Sequence, residues 1–208
     1  MLIFTDLDGT LFDTDVSKQK YIVEWMEEFS NARLKENARE TIERLYADGH
    51  QIMALTSRGV DCAEYSDELQ KISCASILKN FESSKAIMGL QSSVRYKYSA
   101  IVGILKKYHF KQNYELKKDV VLVDDDIEQI GISVLGGVKS ILFNPPSDFD
   151  KNIFLKLANA EGIANADKIV EKNLRVAKNW QDVGKIICEW SKSQNKDEKQ
   201  DKEVLPEL

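Results

Sequence analysis

Two aspartates, Asp6 and Asp8, close a short apolar run, Leu2-Ile3-Phe4-Thr5, and are followed at once by Gly9, Thr10 and Leu11. In an extended chain residues i and i+2 point to the same side, so both carboxylates share one small volume. A turn needs only one Asp, and a second acid beside it costs energy unless a cation sits there. The glycine lets the backbone bend sharply and bring amides near a bound anion. A second acidic group, Asp124-Asp125-Asp126, closes the apolar run Val120–Val123. Asp126 has an innocent explanation, since it and Gln129 have capping-box spacing at a helix start. Asp124 and Asp125 have none.

The elements that must position these residues alternate in type. After the first strand, Tyr21, Ile22, Trp25, Met26 and Phe29 recur at helical spacing, with Ser17 as a candidate cap. A second helix is predicted from Asn37 to Ala47, with Ala38, Ile42, Leu45 and Tyr46 inward and Asp48-Gly49 as its stop. Gln51–Leu55 reads as a buried strand ending in Thr56-Ser57-Arg58-Gly59. A right-handed parallel crossover puts both strand ends at one edge, so Thr56 lands beside Asp6. A helix starting near Asp61, where Asp61 and Glu64 have capping-box spacing, leads to a weaker strand at Ala86–Leu90. Lys97 opens a helix reaching Tyr108, and a polar connector runs to Lys118. The acidic run leads into a short helix, Gly136-Gly137, and a fifth strand, Ser140–Phe143, stopped by Asn144-Pro145-Pro146. The expected fold is α/β, a doubly wound, Rossmann-like parallel sheet with its site at the carboxyl ends of the strands. Residues 151 to about 193 read as two or three helices, the last carrying Val183, Ile186, Ile187 and Trp190 on one face. One domain over 1–190 and a charged tail or linker over 191–208 is the expected division.

The order Asp6-x-Asp8-Gly9-Thr10 after a hydrophobic strand resembles the first motif of the haloacid dehalogenase (HAD) superfamily of phosphohydrolases, and later segments resemble its other motifs in order. The resemblance spans Asp6 to Asp125 and implies a nucleophile at Asp6, forming an aspartyl-phosphate, and a general acid/base at Asp8. An Asp in the second position separates the family's phosphatases from its dehalogenases and ATPases. Thr56 matches the second motif, whose hydroxyl holds a phosphoryl oxygen together with the next backbone amide, here that of Ser57. Arg58 could add a bidentate phosphate contact, although a solvated surface charge is the favoured reading of it. Lys97 is the choice for the third motif, because a cation in a first helical turn is opposed by the helix dipole and invites another explanation; Lys85 is the rival. The Asp-Asp form of the fourth motif implies a Mg²⁺ site in which Asp125 is a direct ligand and Asp124 stands second. Asp6 and the backbone carbonyl of Asp8 are the other implied protein ligands.

Composition narrows the function classes. With 29 Lys plus Arg against 34 Asp plus Glu, the net charge is -5, so nothing gathers nucleic acid or an anionic membrane. The cysteines Cys62, Cys74 and Cys188 and the histidines His50 and His109 are scattered, which suggests neither zinc nor a disulfide framework. A strand beginning at Leu2 and the lack of a long apolar run suggest a cytoplasmic protein, with delivery to another cell as an effector left open. A further domain after residue 208 is also left open. A receiver-like phospho-acceptor domain would place its phosphorylated Asp on a middle strand, with Thr and Lys later; here an acid pair follows both. Intact Asp6, Asp8 and Asp125 argue against an inactive phosphate-binding module, and no GxxxxGK[ST] or GxGxxG is present.

The intervals Thr10 to Thr56 and Ser57 to Lys97 leave no room for a full cap domain, the device that closes metabolite-specific HAD phosphatases. A capless site suits a phosphate on a large partner, so the expected substrate is a phosphorylated protein, phosphotyrosine first. Some bacterial HAD-like proteins, effectors among them, have a segment similar to Ala54-Leu55-Thr56-Ser57-Arg58. A small-metabolite phosphomonoesterase is the alternative.

Overall fold

The computed structural model of the chain describes residues 1–14, 21–60, 63–112 and 119–203, with side chains described for all of these except 63, 108–112 and 194–203. The strands are β1 (Leu2–Thr5), β2 (Gln51–Leu55), β3 (Ile87–Gln91), β4 (Val120–Asp124), β5 (Lys139–Phe143) and β6 (Leu174–Ala177). The helices are α1 (Ile22–Ser30), α2 (Ala38–Ala47), α3 (Ser66–Phe81), α4 (Lys97–Gln112), α5 (Ile127–Leu135), α6 (Asn152–Ala160), α7 (Ala166–Asn173) and α8 (Trp180–Glu203). The candidate caps Ser17 and Asp61, and Cys62, lie outside the described residues.

The strands form one parallel sheet in the order β3-β2-β1-β4-β5-β6. β1 sits in the middle, paired with β2 on one side and β4 on the other, and the chain switches direction across the sheet there. A switch of that kind opens a crevice outside the carboxyl ends of the strands. The register Thr5↔Ala54 and Thr5↔Val123 therefore delivers the residues after β1, β2 and β4 to one place.

Both faces of the sheet are covered, as long apolar strands require. On one face Ile3, Leu7 and Leu11 pack with Ile42 and Leu45 of α2, Ile77 and Phe81 of α3, and Trp180, Val183 and Ile187 of α8. On the other, Leu2 and Phe4 pack with Ile101 and Ile104 of α4, Val134 of α5, Phe154 of α6 and Val170 of α7. The alternation of Leu2 and Phe4 against Ile3 is the period-two geometry of a strand buried on both sides.

Three local expectations change. Residues 151–193 are not helices alone: β6 adds a sixth strand beside β5, its short Leu-Arg-Val-Ala segment buried only at its ends. In α2 it is Thr41 that faces inward, while Tyr46 is exposed. Tyr21 is an exposed residue just before α1. The last helix, α8, runs from Trp180 to Glu203. Cys74 and Cys188 are free thiols, and no described helix is long and apolar enough to cross a membrane.

Candidate active site

The loop after β1 is held from three directions. The Asp6 N–H donates to the Val123 carbonyl at 2.9 Å, extending the β1–β4 pairing to the first aspartate. Gly9 has φ +73°, and a Cβ there would meet the Asp125 carboxylate, so this position favours glycine on both counts. Thr10 donates through Oγ1 to Asp125 at 3.0 Å, and its carbonyl accepts the indole N–H of Trp180 at 2.9 Å. Trp180, fully buried at the start of α8, thus ties the far end of the chain to the loop carrying Asp6 and Asp8.

Lys97 is the hub. Its buried ammonium donates to Asp6 Oδ1 and to Asp124 Oδ2, both at 2.6 Å. Asp124 is spent on both oxygens, since Oδ1 also accepts the Asp126 N–H at 3.0 Å. Lys85, the rival cation, is exposed in the turn that precedes β3, at the opposite edge of the sheet. Lys97 is placed by a residue that the sequence showed only as a helix-capping partner. The Gln129 side chain accepts the Lys97 N–H at 2.9 Å and donates to the Arg95 carbonyl at 3.0 Å, pinning the segment Arg95–Lys97 to α5. Asp126 still caps α5, accepting the Glu128 and Gln129 N–H groups, but the reciprocal half of that capping box is used on Lys97 instead.

Asp6, Asp124 and Asp125 bring carboxylate oxygens within 4.8 Å of one another. Burial, followed by repulsion from Asp124 and Asp8, pushes the Asp6 carboxyl well above the ordinary range even against the pull of Lys97. Burial raises Asp124 likewise. Asp125 reaches solvent at the rim, yet it is covered enough that burial and the charge on Asp6 push it up to about 6. For Lys97, burial opposes the charge, but the two carboxylates outweigh it and hold the ammonium above its usual value. One ammonium among these three acids leaves an excess of negative charge, and an oxygen-only donor set of this kind fits Mg²⁺.

Arg58 overturns its favoured reading as a solvated charge: its side chain is 1 % exposed. The guanidinium donates to both oxygens of Asp8, from Nε at 2.7 Å and from one terminal nitrogen at 2.6 Å, and to Ser73 of α3 at 2.9 Å. It also lies 3.8 Å from the ring centroid of Phe29 in α1. Thr14 donates a further bond to Asp8 at 2.6 Å. A fork matched to a carboxylate is the strong, geometrically specific form of ion pair, so Asp8 is fixed in place. Neither Thr14 nor Ser73 carries a signal in sequence, because each acts only through a partner brought near by folding. Thr56, fully buried at the end of β2, accepts the Arg58 N–H at 3.2 Å and keeps its own O–H to donate; Ser57 beside it is exposed.

Beside Asp8 opens a cleft of about 360 Å³, walled by Trp25 and Phe29 of α1, the loop from Ser57 to Val60, Tyr96, and the start of α5.

No family model and no curated protein matches the chain. Solved structures do. A D,D-heptose 1,7-bisphosphate phosphatase from B. bronchiseptica, complexed with magnesium and phosphate, aligns with TM-score 0.58 at 13% identity, covering 90% of this chain and 98% of that one. A HAD-superfamily hydrolase from Ehrlichia chaffeensis aligns with TM-score 0.52 at 12% identity, covering 91% of this chain and 96% of that one. The chain has the HAD fold. An uncharacterized protein from Listeria monocytogenes serotype 4b is similar to the same degree, with TM-score 0.58, 15% identity and coverage of 92% and 98%. The four positions singled out in the sequence lie at the carboxyl edge of β1, β2 and β4 and at the first turn of α4. No cap domain is found among the described residues: of the two intervals where one could stand, the first holds α1 and α2 and the second α3 and β3.

Proposed function

We propose that this protein is a Mg²⁺-dependent phosphomonoester hydrolase working through an aspartyl-phosphate on Asp6. The observation that carries the reading is the buried Lys97 joining Asp6 to Asp124, with Asp125 alongside, in a HAD fold. Asp6, Asp125 and the Asp8 backbone carbonyl would hold Mg²⁺, with Asp124 behind them; bound there, the ion neutralises phosphoryl oxygens. Lys97 orients Asp6 for in-line attack on phosphorus. The Thr56 hydroxyl and the Ser57 amide grip the oxygens of the transferring group, with Arg58 close by. Asp8 gives a proton to the ester oxygen as the P–O bond breaks. It then takes one from the water that hydrolyses the intermediate. Arg58 and Thr14 position Asp8 by binding both of its oxygens, so the fork opens at one oxygen when Asp8 carries the proton it gives.

Asp8→Asn separates the two half-reactions. With a good leaving group Asp6 is still phosphorylated, while hydrolysis of the intermediate slows by about 10²–10⁴-fold. An acid-stable, hydroxylamine-labile phosphoenzyme is expected to accumulate, detected with ³²P-labelled substrate. Its absence with Asp8→Asn, together with its presence when Asp125 is changed instead, reverses the assigned roles.

The raised carboxyl values predict how metal and pH interact. A carboxyl whose folded pKa exceeds its unfolded value stabilises the fold below the unfolded pKa, near 4, and that contribution is lost as pH rises through the folded value, about 6 for Asp125. The metal-free protein therefore gains from acidification between about pH 7.5 and 5.5. Mg²⁺ needs these groups ionised and acts in the opposite direction. At about 100 times its Kd it is expected to add ~2.7 kcal/mol at pH 7.5, a rise in Tm of ~5–10 °C that fades below about pH 6. Thermal melts across pH with Mg²⁺ or EDTA measure this, and a Mg²⁺ increment that grows on acidification contradicts it.

For the substrate, a site over which the described residues form no cap domain supports a phosphate presented on a protein, with phosphotyrosine first because its long ring reaches a recessed nucleophile. The second reading, a small phosphorylated metabolite, draws support from the B. bronchiseptica heptose bisphosphate phosphatase: 98% of its chain is covered here, so a protein of this extent carries a name specific to a sugar phosphate. Comparing kcat/KM for phosphotyrosine peptides with sugar and nucleoside monophosphates decides between them. A preference of about tenfold for any metabolite removes the phosphoprotein reading.

A further inference from the structure

Three of the four acids at the site are tied to a buried cation: Lys97 binds Asp6 and Asp124, and Arg58 binds Asp8. Asp125 is not. The side chain that holds it is Thr10, whose hydroxyl donates to Oδ1 at 3.0 Å, and among the described residues no other side chain bonds it. Its second oxygen lies over Gly9, where a Cβ would meet it. The direction in which Asp125 points therefore depends on where Thr10 stands. Hydrogen bonds behind a metal ligand raise affinity by fixing the ligand's orientation before the ion arrives.

Thr10 is itself held through the peptide unit that joins it to Leu11. The Leu11 N–H donates to the Leu7 carbonyl at 3.0 Å, and the Thr10 carbonyl accepts the indole N–H of Trp180 at 2.9 Å. Trp180 is a rigid donor. It is buried, its ring centroid lies 5.8 Å from that of Phe143, and Val183 and Ile187 of the same helix are packed in the same core. An indole nitrogen can only donate, so this bond has a single sense. We propose that Trp180 is a positioning residue for the metal site, aiming Asp125 through Thr10, so that the start of α8 sets how tightly Mg²⁺ is held. The inference rests on the Mg²⁺ reading of the three clustered acids.

Calorimetric titration of the full chain with Mg²⁺, in the absence of any substrate, tests this. Trp180→Phe keeps an aromatic ring beside Phe143 but removes the N–H, and the Kd for Mg²⁺ is expected to rise about tenfold. Thr10→Val removes the hydroxyl at nearly constant volume and is expected to do the same. Because both act through one chain of bonds, the double variant should lose about tenfold rather than about a hundredfold. Phe143→Leu loosens the packing around the indole without touching its N–H. It is expected to lower Tm while holding Kd within about twofold. An unchanged Kd in either single variant, a multiplied loss in the double variant, or an equal loss in Phe143→Leu overturns the role of Trp180 and leaves the metal site standing. A wild-type chain that takes up no Mg²⁺ overturns the metal reading itself, and this inference with it.

Discussion

Asp6→Asn is expected to reduce turnover of an aryl phosphate by about 10⁴-fold or more while leaving the fold intact. The amide keeps the size of the carboxyl and still accepts the Lys97 ammonium, whose second partner, Asp124, is untouched. What disappears is the charge that attacks phosphorus. That charge is also the one that burial, Asp124 and Asp8 disfavour, so its removal relieves a cost in the metal-free protein. The melting temperature without Mg²⁺ should stay level or rise, and the stabilisation by Mg²⁺ should shrink because a ligand is lost. Phosphate release measured beside circular dichroism checks both halves. A wild-type rate in Asp6→Asn removes the nucleophile assignment, and an unfolded variant would show that Asp6 is needed for structure.

Lys97→Met is expected to cost both activity and stability. The methionine fills much of the space but leaves Asp6 and Asp124, 5% and 0% exposed, without the ammonium between them. Removing one partner of a buried ion pair costs about 3–5 kcal/mol, so a fall in Tm of ~6–20 °C at neutral pH follows. The sign with pH is informative. Without Lys97 the carboxyls rise further, the folded state takes up protons more readily, and the deficit narrows as pH falls toward about 5. Mg²⁺ should recover part of the stability at pH 7.5 but little of the rate, since Asp6 is no longer oriented. A fall of about 10³-fold in kcat is expected. Should the deficit in Tm be equal at pH 5 and pH 8, the buried charges are not its source.

Phe29 and Ser73 show why a residue's role depends on what surrounds it. In the chain Phe29 is one position of an apolar helical stripe and Ser73 one polar residue of a weakly amphipathic helix. Folding sets them on either side of Arg58, one stacked on the guanidinium and one accepting from it. A charge flanked by glycine and serine after a strand is usually solvated, and no local pattern marks the exception. Burial of Arg58 requires Asp8, Phe29 and Ser73 together, and these lie up to 50 residues from it along the chain.

The sequence by itself determined the βα order, the edge of the sheet at which chemistry could occur, and the two acidic groups there. These follow from strand periodicity, from the handedness of parallel crossovers and from the cost of packing like charges without a cation. The resemblance to the family's third motif, together with a cation placed against a helix dipole, pointed to Lys97 over Lys85. Tertiary structure alone decided β6, whose four residues carry too little pattern to stand apart from the helices around them. It decided that Gln129 positions Lys97, that Trp180 anchors the loop after β1, and that Arg58 belongs to Asp8. Each of these is a hydrogen bond between residues 32 to 170 positions apart, and such a bond has no periodicity to betray it. Both partners must be placed by the hydrophobic packing of whole elements before either has anything to bind.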